Sequence, residues 1–261
     1  MSGEVKKIAA VKAAGESFPL FFFGPGSSSI DAAWGLIAQN RLPAWGAVLM
    51  ESQSGGRGRM GRVWQSPPGN IYGALRLPSG QLFTSPGASL ALALMLSEAL
   101  ASFGWQMRIK WPNDLIFEDG KTGGLLLESR GQDLVAGIGL NLGAPPAGGW
   151  QKERDPGAPK PGALPFFQGP ETLWPGVVKE LVLLYNKKFG TWTMAELARE
   201  AEKILLWRGR SVRVERPASD PPAPDGGLSG LITGLGPEGQ LRLAGPDGEY
   251  YLWSGTLYLT A

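Results

Sequence analysis

Short hydrophobic runs along the first half of the chain alternate with polar loops in a way that favours an α+β fold. The apolar run at residues 20–23 predicts a strand. Ser29 is a suitable N-cap, and the apolar residues that follow it at helical spacing predict a helix. Residues 44–51 and 70–78 predict two more strands, which flank the loop SGGRGRMGRVWQSPPGN at residues 54–70, called here the Gly/Arg loop.

The middle of the chain contains one strongly apolar helix and then β-rich segments. Ser85 and Pro86 suit the N-cap and first position of a helix that is apolar on nearly every side and ends near Gly104. Three β-rich runs follow, MRIKWPNDLIF, GGLLLES and LVAGIGLNL, separated by short polar turns.

The last third of the chain changes character twice. Residues 143–176 are rich in Pro and Gly and predict a long irregular surface loop. Helical periodicity at residues 177–189 and 194–206 predicts two helices that close the main domain. Beyond Trp207, short strands joined by GPEG and GPDG turns predict a small β-barrel or sandwich. We therefore expect two domains, residues 1–207 and 208–261.

Composition removes several kinds of chemistry. The chain has 261 residues, a formal charge of +2, and neither cysteine nor histidine. Thiol nucleophiles, histidine bases and Cys/His metal sites are therefore excluded. Lysine, arginine, carboxylates and backbone amides remain, and they suit phosphate chemistry, in which positioning and charge neutralisation supply most of the catalysis. The apolar run near the N-terminus is too short to span a bilayer, so we expect a cytoplasmic protein without membrane contacts.

The Gly/Arg loop has the composition of an anion-binding loop. Its glycines allow successive backbone N–H groups to turn towards an anion, and Arg57, Arg59 and Arg62 add donors suited to carboxylate or phosphate. A solvated turn and an RNA-binding tract are alternatives that the loop by itself leaves open.

A second polar cluster interrupts the β-rich run KWPNDLIFEDGKTGG. Asp114 could hold a magnesium ion, with Asn113 directed to a nucleotide and Lys121 to a phosphate; a tight PND turn bonded to local backbone is the alternative. Asn141 in GIGLNL is a polar group in an apolar strand, compatible with a ligand contact or with a hydrogen-bonded core position.

In combination these motifs resemble those of the biotin protein ligases. The order QSGGRGRMGRVWQSPPGNIY, KWPNDLIFEDGKTGGLLLE, GIGLN and a small C-terminal β domain is similar to that of the family. The resemblance implies a mixed β-sheet catalytic domain of the class II synthetase-like type with packed helices, followed by an SH3-like β-barrel. It also implies a two-step reaction: biotin and ATP give biotinyl-5′-AMP, and a lysine of a biotin carboxyl carrier protein then takes the biotinyl group.

The same resemblance assigns site residues position by position. It implies catalytic roles for Lys121, Arg57 and Asp114, with Mg²⁺ at Asp114. Biotin contacts are implied for Ser28, Ser29, Gln53, Gly56, Arg57, Arg59, Lys121 and Gly124. ATP contacts are implied for Arg59, Arg62, Trp64, Lys110, Asn113 and Asn141.

Departures from the family pattern and rival functions limit the assignment. Ile30 stands where the family has asparagine, and Met60 stands where the loop often has a basic residue. About twenty residues precede the first predicted strand, too few for the winged helix of ligases that also repress transcription, so we expect no DNA binding. The acceptor is expected to belong to a biotin-dependent carboxylase, and a homodimer is left open. The alternatives are a lipoate or octanoate ligase, a non-catalytic biotin- or nucleotide-binding protein, and an RNA-binding module.

Overall fold

The computed structural model of the chain describes residues 4–147, 157–215 and 228–260. Within these residues, the helices pack on a main mixed sheet, and a second sheet follows. The strands of the main sheet are β1 (Val5–Ala13), β2 (Glu16–Phe23), β3 (Ala47–Met50), β4 (Ile71–Leu77), β5 (Met107–Lys110), β6 (Asp114–Phe117), β7 (Gly120–Arg130), β8 (Asp133–Leu140) and β9 (Lys160–Pro161). The helices are α1 (Ser29–Ala38), α2 (Gln81–Thr84), α3 (Ala88–Ala101), α4 (Pro170–Lys187) and α5 (Met194–Lys203).

The main sheet has the strand order β1-β2-β3-β4-β8-β7-β6-β5, and β9 pairs with β7. The pairs β2/β3 and β7/β9 are parallel and the others are antiparallel, as the mixed-sheet prediction requires. Each face of the sheet has its own apolar cluster. Helix α1 covers one face, against Phe21, Val48 and Val135, while α3 and α4 cover the other and α5 packs against α3.

The helices agree with the sequence in position but differ at their first residues. The N-cap of α1 is Ser28 rather than Ser29. Helix α3 begins after Gly87, and the short helix α2 precedes it, so the predicted Ser85 cap and Pro86 start are wrong. Helix α5 has the expected apolar face and a capping box in which Thr193 and Glu196 satisfy each other's backbone N–H groups. None of the helices in the described residues is long and apolar enough to cross a membrane.

Two segments that appeared irregular in the sequence are ordered. The strand predicted at residues 20–23 begins at Glu16 and pairs with β1, which the sequence analysis missed. In the predicted surface loop 143–176, helix α4 already begins at Pro170, and Leu164 is fully buried and bonded to the end of β8. Residues 148–156 of that loop lie outside the described residues.

The second sheet has five antiparallel strands: β10 (Ser211–Glu215), β11 (Leu228–Leu235), β12 (Leu241–Gly245), β13 (Gly248–Leu252) and β14 (Thr256–Leu259). Their order is β13-β12-β11-β10-β14, consistent with the expected SH3-like domain. Trp207 lies between the last strand of the main sheet and β10, and the domain boundary after it stays a prediction. The apolar core, however, continues from one sheet to the other, because Val212 and Ile232 belong to the same cluster as the main-sheet residues.

Candidate active site

A cavity of about 940 Å³, including the open space at its mouth, lies on the α1 face of the main sheet. Its walls are the start of α1, the Gly/Arg loop, the turn between β5 and β6, and the edge of β14. Gly124 of β7 and the alternating Gly137 and Gly139 of β8 form its floor, because residues two apart in a strand face the same side.

The floor glycines provide the space in which two large side chains pack on the sheet. A Cβ at Gly137 would lie 2.5 Å from Cδ1 of Ile30, and one at Gly139 would lie 2.5 Å from Cε2 of Trp64. A Cβ at Gly124 would lie 3.1 Å from the Trp64 indole. The indole therefore lies flat on two neighbouring strands, which fixes the end of the Gly/Arg loop against the sheet.

The core of the Gly/Arg loop is a small hairpin. Arg57 and Val63 form an antiparallel bridge, and the N–H of Gly58 donates to the carbonyl of Arg62 at 2.7 Å. The turn contains Met60 and Gly61, which have φ values of 57° and 71°. Glycine adopts this left-handed conformation without steric cost, whereas Met60 does so with some strain. The loop therefore differs from a solvated tract, because its backbone forms the hydrogen bonds of a hairpin.

Arg57 is held by two carboxylates from different elements. Its guanidinium donates to both oxygens of Asp31 at 2.8 and 3.0 Å, and to Oε1 of Glu128 at 3.1 and 3.3 Å. Hydrogen bonding to Asp31 raises the pKa of Arg57, and the same contact lowers the pKa of the Asp31 carboxyl. In this arrangement Arg57 connects the loop to α1 and β7, and its charge is already balanced.

Gln53 joins the loop to the first turn of α1. Its Oε1 accepts from the backbone N–H of Ser29 at 2.8 Å, and its Nε2 donates to Ser66 Oγ at 2.9 Å. The Gln53 side chain thus satisfies a helix N–H that the side chain of Ser28 leaves without a capping bond.

The KWPND motif and Lys121 of β7 bring three charged groups close together. Lys121 Nζ lies 2.7 Å from Asp114 Oδ1, and Lys110 Nζ lies 3.7 Å from Oδ2. Burial opposes ionisation of Asp114, but the two ammonium groups outweigh it and hold the pKa of that carboxyl below its ordinary value. Burial lowers the pKa of Lys110, whose residue is only 5% exposed. Two cations therefore face one carboxylate, which leaves net positive charge at the cavity wall.

Asn113 connects this motif to the Gly/Arg loop. Its Oδ1 accepts from Arg59 Nη1 at 3.3 Å, and its Nδ2 donates to the carbonyl of Leu125 at 2.6 Å. The PND segment is thus a turn bonded to backbone, and it also lines the cavity, while its contacts with a nucleotide and with magnesium stay predictions.

The predicted site residues line this one cavity, with two exceptions. Gly56 lies at the base of the hairpin, where a Cβ would come within 2.4 Å of the Trp64 carbonyl oxygen. Asn141 lies at the end of β8 and donates to the carbonyl of Gly162 at 2.9 Å, while its buried Oδ1 has no hydrogen-bond partner among the described residues. The ATP contact of Asn141 therefore stays a prediction.

Some cavity residues were absent from the sequence prediction. Tyr72 was read only as part of a strand, and Gly255 and Thr256 only as part of the C-terminal β domain. Gly137 and Gly139 are the glycines of GIGLNL, where the sequence predicts the close approach of a ligand or of backbone. The sequence did not show that the groups packed on these glycines are the side chains of Ile30 and Trp64.

The cavity is lined by many more positive than negative side chains. Five basic side chains line it, and Asp114 is the single acidic residue among its described lining residues. The described part of the chain contains no group of three or more acidic side chains that could hold a metal ion. The site is therefore suited to bind an anion.

Comparisons with known proteins agree with this geometry. Residues 25–144 match the model of the biotin/lipoate A/B protein ligase family. The chain is 36% identical over 221 residues to a biotin–[acetyl-CoA-carboxylase] ligase of Paracoccus denitrificans, covering 79% of this chain and 86% of that protein. It is 27% identical over 234 residues to the bifunctional ligase/repressor BirA of Bacillus subtilis, covering 85% of this chain and 69% of that protein.

The fold is also that of solved ligase structures. A biotin protein ligase from Aquifex aeolicus in complex with biotin and ATP has a TM-score of 0.71 at 23% identity, covering 92% of this chain and 99% of that one. The Leishmania major biotin protein ligase with biotinyl-5-AMP has a TM-score of 0.60 at 23% identity, covering 93% of this chain and 98% of that one. With the identity and coverage shared with the Paracoccus enzyme, the cavity and its motifs identify the chain as an enzyme of the biotin protein ligase family.

Proposed function

We propose that the protein activates biotin with ATP as biotinyl-5′-AMP and transfers the biotinyl group to a lysine of a biotin carboxyl carrier protein. The observation that carries the proposal is the gathering of Arg59, Arg62, Lys110 and Lys121 around one cavity with a single carboxylate. A site that brings a carboxylate against a polyphosphate needs this excess of fixed cations.

In the first step a carboxylate oxygen of biotin attacks the α-phosphorus of ATP, and the bond to pyrophosphate breaks. Two anions must approach each other, and Lys121 and Lys110 reduce that repulsion from the cavity wall. Asp114 holds both ammonium groups in place before the substrates arrive, so little reorganisation is needed at the moment of reaction.

Magnesium fits this site only as an ion that ATP brings with it. Mg²⁺ usually binds to one or two carboxylates together with phosphates and water, and Asp114 can supply one such ligand. Bound there, the ion would neutralise charge on the phosphates. Arg59 and Arg62, at the mouth of the cavity, bind phosphate oxygens in the same proposal.

In the second step the amine of the carrier lysine attacks the carbonyl carbon of the mixed anhydride. A C–N bond forms, the C–O bond to AMP breaks, and AMP leaves. Because Asp114 is paired with two lysines, we assign the released proton to a phosphate oxygen of AMP. The role of the chain here is to keep water away from the anhydride, through the hairpin that closes one side of the cavity.

The acceptor and location follow from this chemistry. The Paracoccus relative is named as a ligase for acetyl-CoA carboxylase, so the carrier domain of such a carboxylase is the proposed partner. We propose that the reaction takes place in the cytoplasm, where ATP is available. A homodimer stays a prediction that light scattering after size exclusion would test.

The test is pyrophosphate release by the whole chain with ATP and Mg²⁺, in separate reactions with biotin, lipoate and octanoate. We expect release with biotin only, and biotinylation of one lysine when a carrier domain is added. Lipoylation without biotinylation would favour the lipoate ligase. Biotin binding without release would favour a protein that does not catalyse the reaction, and salt-sensitive RNA binding that ignores ATP would favour the RNA module.

A further inference from the structure

The C-terminal sheet contributes directly to the wall of the cavity. Gly255 and Thr256, at the start of β14, line it together with the Gly/Arg loop. The Thr256 hydroxyl accepts a hydrogen bond from Nη2 of Arg62, and Met60 Sδ lies 3.7 Å from both of these atoms. Thr256 is 8% exposed, whereas Arg62 belongs to the exposed side of the loop.

Two further contacts fix the position of Thr256 relative to the catalytic motifs. Trp111 of KWPND donates from Nε1 to the carbonyl of Gly239, in the turn between β11 and β12, at 3.0 Å. Glu202 of α5 accepts from the N–H of Leu235 at 2.9 Å. Thr256 itself pairs with Glu215 in the β10/β14 ladder. The hydroxyl is therefore part of a sheet that is bonded both to the main domain and to KWPND.

The hydrogen bond between Thr256 and Arg62 matters because an arginine side chain is flexible. A free arginine side chain samples many rotamers, and ordering it on ligand binding costs free energy. A hydroxyl on a rigid strand that already holds the guanidinium removes part of that cost before the nucleotide binds. The threonine carries no charge, so the positive charge of Arg62 stays available to an anion.

We propose that Thr256 is a positioning residue: its hydroxyl holds Arg62 at the mouth of the cavity, and the C-terminal sheet thereby sets the affinity of the site for the triphosphate. This inference rests on the proposed use of ATP. It assigns to the C-terminal sheet an effect on nucleotide binding that does not extend to biotin, because Ser28, Ser29 and Gln53 lie on the main domain.

The test compares Thr256→Val, which keeps the shape and removes the acceptor, with Thr256→Ser, which keeps the hydroxyl. We expect Thr256→Val to raise KM for ATP about two- to tenfold, the effect of having to immobilise one flexible side chain on binding. KM for biotin and kcat should stay at the wild-type values, and Thr256→Ser should restore KM for ATP. An unchanged KM for ATP in Thr256→Val would overturn the proposal.

A matched control and a double mutant separate positioning from general damage. Thr233 lies in the same sheet and has a buried hydroxyl without a hydrogen-bond partner among the described residues, so Thr233→Val should leave KM for ATP unchanged. In an Arg62→Ala background, Thr256→Val should have no further effect, because its action passes through Arg62. A full additional effect in that background would refute the mechanism. If Thr256→Val also lowers the melting temperature, the Arg62→Ala background separates the two causes, because general damage would raise KM for ATP further in that background as well.

Calorimetric titration with ATP separates a failure of the role of Thr256 from a failure of the proposed function. A wild-type chain that binds no ATP would overturn the proposed function. A wild-type chain that binds ATP, with Thr256→Val binding it equally well, would overturn the role of Thr256 and leave the proposed function intact.

Discussion

Replacement of Gly139 by alanine tests whether the packing of Trp64 on the sheet holds the Gly/Arg loop over the cavity. The added Cβ would lie 2.5 Å from Cε2 of the indole and 2.7 Å from its Cζ2 and Nε1 atoms. Ordinary contacts between such atoms begin at about 3.5 Å, so the ring must move by roughly 1 Å.

The expected loss of affinity follows from the overlap between the added Cβ and the Trp64 indole. Forcing an extra carbon into a packed contact costs about 1–3 kcal/mol, which corresponds to a factor of about 5 to 150 in an equilibrium constant. Trp64 is only half-buried and belongs to a loop, so the strain is relieved by displacing the loop rather than by unfolding the domain. We therefore expect Gly139→Ala to weaken substrate binding and to leave the melting temperature nearly unchanged.

The assay is pyrophosphate release at varied biotin concentration, together with calorimetric titration of biotin. KM and Kd for biotin should rise within the range given above. Gly35→Ala is the matched control, because a Cβ there meets nothing within 4 Å and the residue lies inside α1. It should leave kinetics unchanged and stabilise the fold by about 0.5–1 kcal/mol. Wild-type constants for Gly139→Ala would refute the idea that Trp64 positions the loop.

Three further perturbations address other parts of the structure. Lys121→Ala removes the cation closest to Asp114 and should lower the rate of biotin-dependent pyrophosphate release by about 100-fold or more, with the fold retained by circular dichroism; an unchanged rate would contradict its catalytic role. Combined Asp31→Asn and Glu128→Gln leaves Arg57 without its carboxylate partners and should allow biotinyl-AMP to escape, seen by mass spectrometry as biotin on bystander lysines. The exposed Glu200→Gln is its control, and equal labelling by both variants would argue against anchoring. Gly73→Ala places a Cβ 2.4 Å from the fully buried Trp174 and should destabilise the fold by about 1–3 kcal/mol in urea unfolding; a smaller loss than 0.5 kcal/mol would show that α4 shifts without cost.

The sequence by itself determined those helices and strands that follow from local patterns of apolar and polar residues. Alternating and helical periodicity located α1, α3, α5, the strands that flank the Gly/Arg loop and the five C-terminal strands, because burial on one face imposes these periods. Strand β1 escaped notice because most of its side chains are exposed, so it shows no apolar alternation. The start of α4 was missed because the Pro and Gly residues up to residue 176 predict an irregular loop, whereas the structure places Pro175 inside the helix.

The chemistry of the site was also readable from the sequence, as far as residue types are concerned. The glycines and arginines of the loop and the charged residues of KWPND indicate an anion site through their donors and charges, although each motif by itself also fitted a turn. The sequence did not show which distant residues these side chains contact. Arg57 meets Glu128 from 71 positions away, and Arg62 meets Thr256 from 194 positions away.

Only the tertiary structure decided which of these groups meet. Spacing along the chain says which face of an element a residue occupies, but contacts between distant elements depend on strand order and on how the two sheets pack. The sequence alone determined that the Gly/Arg loop carries anion-binding groups. The fold decided that two carboxylates hold its Arg57, that floor glycines receive its Trp64, and that the C-terminal sheet holds its Arg62.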